Sequence, residues 1–169
     1  MVITLIGFMG CGKTTTGKRL AKQLGYEFVD LDTAIENCQE RTINQIFAED
    51  GEDYFRKIES EILHIALHQE DNIVLSVGGG TPCFHANMDM IKNHSLSFYL
   101  DYPAKLLASR LEKGKHKRPL IKDFNPEELR LFIETTLEKR NRYYNKADYR
   151  VQNFNNPIDE ILDYIQKAN

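Results

Sequence analysis

A chain of 169 residues with 22 basic and 25 acidic side chains and a net charge of −3 suits one domain with a sizeable core. Its balanced charge advertises no nucleic-acid partner. Cys11, Cys38 and Cys83 are odd in number, unclustered and without zinc-ligand spacing, which argues against a disulfide scaffold or a structural zinc site and fits a reducing, cytoplasmic setting. No apolar run approaches the length that spans a bilayer, and the short apolar start reads as a strand, not a signal peptide.

The predicted elements alternate between strand and helix. Val2 to Ile6 is a short β-branched strand. It runs directly into Gly7-Phe8-Met9-Gly10-Cys11-Gly12-Lys13-Thr14, which fills every fixed position of the phosphate-binding pattern G-x-x-x-x-G-K-[ST]. A helix follows from Lys13 to Leu24. Glycines let such a loop curl with its N–H groups inward, and the helix start adds unpaired N–H groups and a positive dipole end. Lys13 then reaches the β- and γ-phosphates, and the Thr14 hydroxyl ligates Mg²⁺. The plain alternative is a chance glycine-rich turn. Strand before and helix after argue against it, so a nucleoside triphosphate is the expected ligand.

Phe28 and Val29 form a second strand ending in Asp30-Leu31-Asp32. Helical periodicity then fills Arg41 to Glu49 and Glu52 to His68. Ile73 to Val77 makes the third strand, Leu96 to Leu100 the fourth and Tyr149 to Gln152 the fifth. Further helices are predicted from Pro103 to Leu111, Pro126 to Asn145 and Pro157 to Lys167, each with its proline near the first turn, where a missing N–H does no harm. Strands separated by helical crossovers predict an α/β, three-layer sandwich with a five-stranded parallel sheet. No repeat, linker or obvious amphipathic surface element is visible, and a monomer is expected.

In such a sheet, ligands bind at the carboxyl ends of the strands. Asp30 and Asp32 lie at one of these ends. If extended geometry holds, their i, i+2 spacing projects both carboxylates to one side, one towards a Mg²⁺-bound water and the other towards a substrate hydroxyl. One of them also suits the N-cap of a helix beginning near Thr33. Gly78-Gly79-Gly80 follows the third strand, and three glycines are costly to order unless something approaches the backbone closely. No aspartate follows that strand, so Ser76 is its nearest polar group and Mg²⁺ coordination falls to Thr14 and Asp30. Arg56 and Glu59 read most simply as an exposed i, i+3 ion pair, and Arg140 as a basic residue suited to a helix C-terminus. Glu112 to Lys117, before Arg118, reads either as a solvated loop or as a lid that closes over phosphates.

Taken together, the Gly7–Thr14 loop, Asp30-x-Asp32, Phe55-Arg56-x-x-Glu59, Gly78-Gly79-Gly80, Arg118-Pro119-Leu120 and Arg140 with Tyr144-x-x-x-Asp148 resemble the shikimate kinase family in order and spacing. The resemblance runs from Val2 to about Gln152. It implies a fold like the nucleoside monophosphate kinases, with a substrate-binding helical segment at about 32–60 and a lid at about 111–123. It also implies transfer of the γ-phosphoryl group of ATP to the 3-hydroxyl of shikimate. By this resemblance Asp32 contacts the shikimate hydroxyls and is the candidate catalytic base. Arg56 and Arg140 clamp the carboxylate, Gly78, Gly79 and Gly80 approach the ring, and Phe47 and Phe55 supply apolar pocket wall. Gly10, Cys11, Gly12, Lys13, Thr14 and Thr15 hold ATP, Arg110 stacks on adenine, and Lys13 and Arg118 neutralise the transferring phosphoryl group. The chain departs from the family's Arg-x-Pro-Leu-Tyr at Arg140-Asn141-Arg142-Tyr143-Tyr144, which places the local helix ending in question. A gluconate or nucleotide kinase, and a catalytically idle ATP-binding module, are the competing readings.

Overall fold

The computed structural model describes residues 1–115 and 120–168. Strands β1 (Val2–Ile6), β2 (Glu27–Asp30), β3 (Ile73–Ser76), β4 (Leu96–Leu100) and β5 (Tyr149–Val151) form one sheet in the order β2-β3-β1-β4-β5. Every neighbouring pair is parallel. The central strand β1 is buried along its whole length, as a strand covered on both faces must be. Its side chains alternate. Ile3 and Leu5 pack with α1 (Lys13–Leu24), α6 (Ala104–Glu112), α7 (Pro126–Tyr144) and α8 (Pro157–Ala168) through Leu20, Leu107, Ile133 and Ile161. Val2 and Ile6 face the other way, onto Ile35 of α2 (Leu31–Gln39), Ile46 of α3 (Ile43–Glu49), Leu63 of α4 (Gly51–Leu67) and Ile91 of α5 (Asn87–His94). Period-two alternation on a parallel strand therefore dictates two cores and three layers.

Local chemistry explains where the helices start. Thr42 and Asn125 each close a capping box, with Gln45 and Glu128, at the heads of α3 and α7. One helix lies beyond the sequence expectation and another starts earlier than expected. α2 begins directly at Leu31, ahead of the start expected near Thr33, and α5 occupies a stretch with no predicted element. α5 is about two turns long and offers only Met88 and Ile91 as buried apolar positions, with no side-chain cap at Ala86, too little periodicity to register. α7 runs unbroken through Arg140 to Tyr144, with Asn145 as its C-cap, which resolves the helix ending there. Beyond it, Asp148 ties the sheet edge together by accepting the Ser97 backbone N–H at 2.9 Å and the Ser97 hydroxyl at 2.6 Å.

Register places the strand ends. Asp30 and Leu5 both pair with Ser76, so the loop after β1, the start of α2 and the glycines after β3 emerge side by side. Among the described residues, no helix is long and apolar enough to cross a membrane.

Candidate active site

The phosphate-binding loop takes its shape from glycines with positive φ, 80° at Gly10 and 92° at Gly12, a region that L side chains rarely enter. A Cβ on Gly10 would also lie 2.8 Å from a Leu111 methyl. Gly12 is the N-cap of α1 and offers no capping side chain, so the first-turn N–H groups remain for an anionic ligand. Lys13 Nζ donates to the carbonyls of Gly7 at 2.8 Å and Phe8 at 3.2 Å, folding the ammonium against the loop. Cys11 is a buried filler whose N–H donates to Phe8 O, so it shapes the loop. Its carbonyl accepts from Arg110 at 3.2 Å, and the Arg110 guanidinium sits over the Tyr102 ring at 5.0 Å. This puts Arg110 beside the loop.

At the end of β2 the two carboxylates divide their tasks differently from the extended picture. Asp30 is the N-cap of α2 and accepts the Thr33 N–H at 3.4 Å, while its other oxygen accepts the Thr14 hydroxyl at 3.0 Å. Asp32 lies inside the first turn of α2. Extended i, i+2 projection is thus incorrect here: the capping turn, not a strand, aims Asp32 into the cleft. Its Oδ1 would stand 3.2 Å from a Cβ on Gly78. Burial, with Asp30 and Glu59 nearby, raises the Asp32 carboxyl to about 6 against the opposing pull of Lys13.

Lys13, Thr14, Thr15, Asp30, Asp32, Ser76, Gly78 and Gly79 line one cleft of about 430 Å³ with the phosphate loop. The arginines border it from α4 and α7. A Cβ on Gly80 would lie 3.0 Å from Arg56 and one on Gly79 3.1 Å from Arg140, so the glycine run makes room for two guanidinium groups. Arg56 stacks on the Phe84 ring at 3.8 Å, and Arg140 lies over Phe8 at 5.7 Å. Phe47 and Phe55 pack ring to ring at 4.6 Å, with Phe55 buried and Phe47 at the surface. Arg118 lies outside the described residues.

The Arg56–Glu59 pair is the main correction. It is not exposed: Glu59 is 1% accessible and holds Arg56 at 2.9 Å. Thr81 secures the far oxygen of Glu59 with a 2.6 Å hydrogen bond. The i, i+3 spacing was visible in the sequence, but the burial was not, and the Thr81 donor comes from the turn Thr81–Cys83 after the glycines. Removing that donor leaves a buried carboxylate oxygen unpaired. Thr81→Val is therefore expected to destabilise the fold by about 1–3 kcal/mol, with Thr81→Ser near wild type, as read by thermal denaturation.

A parallel sheet of this order, with a Lys13/Thr14 loop and the Asp32 carboxylate lining one cleft, defines a small-molecule kinase of the P-loop type. The shikimate kinase family model matches residues 9–168. The chain is 48% identical over 145 residues to a shikimate kinase of Parabacteroides distasonis, covering 86% of this chain and 83% of that one. Among solved structures, a shikimate kinase from Bacteroides thetaiotaomicron superposes with a TM-score of 0.92 at 33% identity, over 98% of each chain. One from Acinetobacter baumannii, solved in complex with shikimate, gives 0.86 at 33% identity over 99% of this chain and 93% of that one. The chain belongs to the shikimate kinase family. It is an ATP-dependent kinase of the shikimate pathway.

Proposed function

We propose that this chain transfers the γ-phosphoryl group of ATP to the shikimate 3-hydroxyl by direct in-line displacement, with Asp32, Arg56, Arg140 and the Gly79 backbone holding the acceptor. The acceptor oxygen forms the new bond to γ-phosphorus, and the bond from γ-phosphorus to the β,γ-bridging oxygen breaks. The hydroxyl proton passes to Asp32. The observation that carries this reading is the meeting of donor-side Lys13 and Thr14 with Asp32 and Gly79 in one cleft. Guanidinium forks suit a ring carboxylate, and a carboxylate suits hydroxyls. Catalysis on this reading is mainly positioning and charge neutralisation.

Thr14 and Asp30, 3.0 Å apart, are hard oxygen donors of the kind Mg²⁺ takes alongside phosphate oxygens and water. Among the described residues, no cluster of three or more His, Cys, Asp or Glu offers a competing site. Thr14 and Asp30 would hold Mg²⁺ there, and the ion would supply positive charge to offset that of the transferring phosphates. Residues 32–60 serve as the substrate-binding helical segment. Residues 111–123, with Arg118, serve as a lid that excludes water from the transferring group. The protein works as a cytoplasmic monomer. A coupled ADP-release assay tests the reading: turnover is expected with shikimate and not with gluconate or nucleoside monophosphates. ADP release with either competitor, or none with shikimate, would overturn it.

A further inference from the structure

Arg140 and Tyr144 stand one turn apart on α7, so both side chains leave the same helix face. Tyr144 is fully buried, and its ring packs on Tyr99 with centroids 5.0 Å apart. A buried phenol needs a partner for its hydroxyl. Here the hydroxyl donates to the Gly79 carbonyl. Burial raises the Tyr144 phenol above its ordinary range, against the opposing pull of the adjacent Arg140 guanidinium. With its one hydrogen committed to Gly79, the oxygen keeps its lone pairs for that guanidinium. Gly79 in turn lies against the phosphate loop, since a Cβ there would stand 3.3 Å from Gly7 O and 3.4 Å from Met9 N. One hydroxyl thus bonds the backbone of the glycine that Arg140 lies against and that itself borders the donor loop.

We propose that Tyr144 is a positioning residue of the acceptor site. It fixes the plane of the Gly79–Gly80 peptide and the angle of the Arg140 guanidinium, so that the ring carboxylate is held at a set distance from the phosphate loop. This rests on the reading that Arg140 binds the shikimate carboxylate. Tyr144 itself touches no reacting atom. The contrast is Tyr99, equally buried, whose hydroxyl donates to Asn141 Oδ1 at 3.2 Å and not to the glycine run. A core aromatic valued only for packing would make the two hydroxyls equivalent.

The test compares Tyr144→Phe and Tyr99→Phe by initial-rate kinetics with shikimate and ATP varied separately, alongside thermal denaturation. Tyr144→Phe is expected to raise the KM for shikimate about tenfold, with the KM for ATP unchanged. Tyr99→Phe is expected to change neither. An unchanged shikimate KM in Tyr144→Phe, or an equal rise in Tyr99→Phe, would overturn the proposal. Arg140→Ala, measured in parallel, separates the two levels. If Arg140→Ala leaves the shikimate KM unchanged, the carboxylate reading fails and the proposal with it. If Arg140→Ala raises it and Tyr144→Phe does not, only the positioning role fails.

Discussion

Asp32→Asn is expected to lower kcat for shikimate by about 10²- to 10⁴-fold while ATP binding persists. Asparagine keeps the size of the side chain and loses the ability to accept a proton. In the phosphate-pattern loop Lys13 is held by the carbonyls of Gly7 and Phe8, bonds that Asp32→Asn leaves in place. The pH profile gives a second readout. Asp32 must be ionised to accept the hydroxyl proton, and its carboxyl titrates near 6. In the wild type kcat/KM should rise with pH up to about 6 and level off above it, and this acid limb should vanish in Asp32→Asn.

Stability should move the opposite way. The carboxyl is raised from 3.8 to about 6 on folding, so between these values the native state binds more protons than the unfolded one. Stability then falls as pH rises through that window, and the full cost is present above it. That cost is roughly 1–3 kcal/mol. Asp32→Asn removes it and should melt at or above the wild-type temperature at neutral pH. A variant that retains near-normal turnover would sink the role assigned to Asp32. One that loses activity together with its melting transition would show a structural residue instead.

Arg140→Ala is expected to reduce kcat/KM for shikimate by about 30-fold to several-thousand-fold, the range for stripping one partner from a desolvated charge pair. The loss should fall on shikimate and spare ATP, because Arg140 borders Gly79 and the Phe8 ring, not the Lys13–Thr15 side of the cleft. A rise in KM alone would mark binding made equally in ground and transition states. A fall in kcat as well would mark contacts tightened during transfer. Arg140→Lys should recover little, because an ammonium cannot present a planar fork to a carboxylate. Isothermal titration with shikimate gives the direct check, and undiminished affinity would remove Arg140 from the site.

Much of the site was legible because its signals are local. A phosphate loop needs glycines at fixed offsets, and Gly7 and Gly12, which fill them, both have positive φ. Asp30 combined capping with a contact to Thr14, both of which short-range spacing allows. Asp32 lines the cleft, as its place after the second strand suggested, but from a helical turn where extended geometry was expected. Glu59 was harder. Its neighbours in sequence describe an ordinary helix-surface ion pair, whereas it is 1% accessible and bonded to Thr81 on another element. Tyr144 carried no local signal for its bond to Gly79, a residue 65 positions away.

The sequence by itself determined the alternation of elements, the anion-binding loop and the identities of the charged groups. Periodicity, glycine φ freedom and side-chain chemistry are properties of a few consecutive residues. Only the tertiary structure decided which of these groups share a cleft and at what charge cost. Parallel register aligned Asp30 with Ser76 and Ser76 with Leu5, and so brought the three strand ends together. Burial then turned Asp32 into a carboxyl that titrates near 6. It also turned the glycine run into a seat for Arg56 and Arg140. Desolvation and close approach depend on what distant segments place around a group, and no window of sequence contains that information.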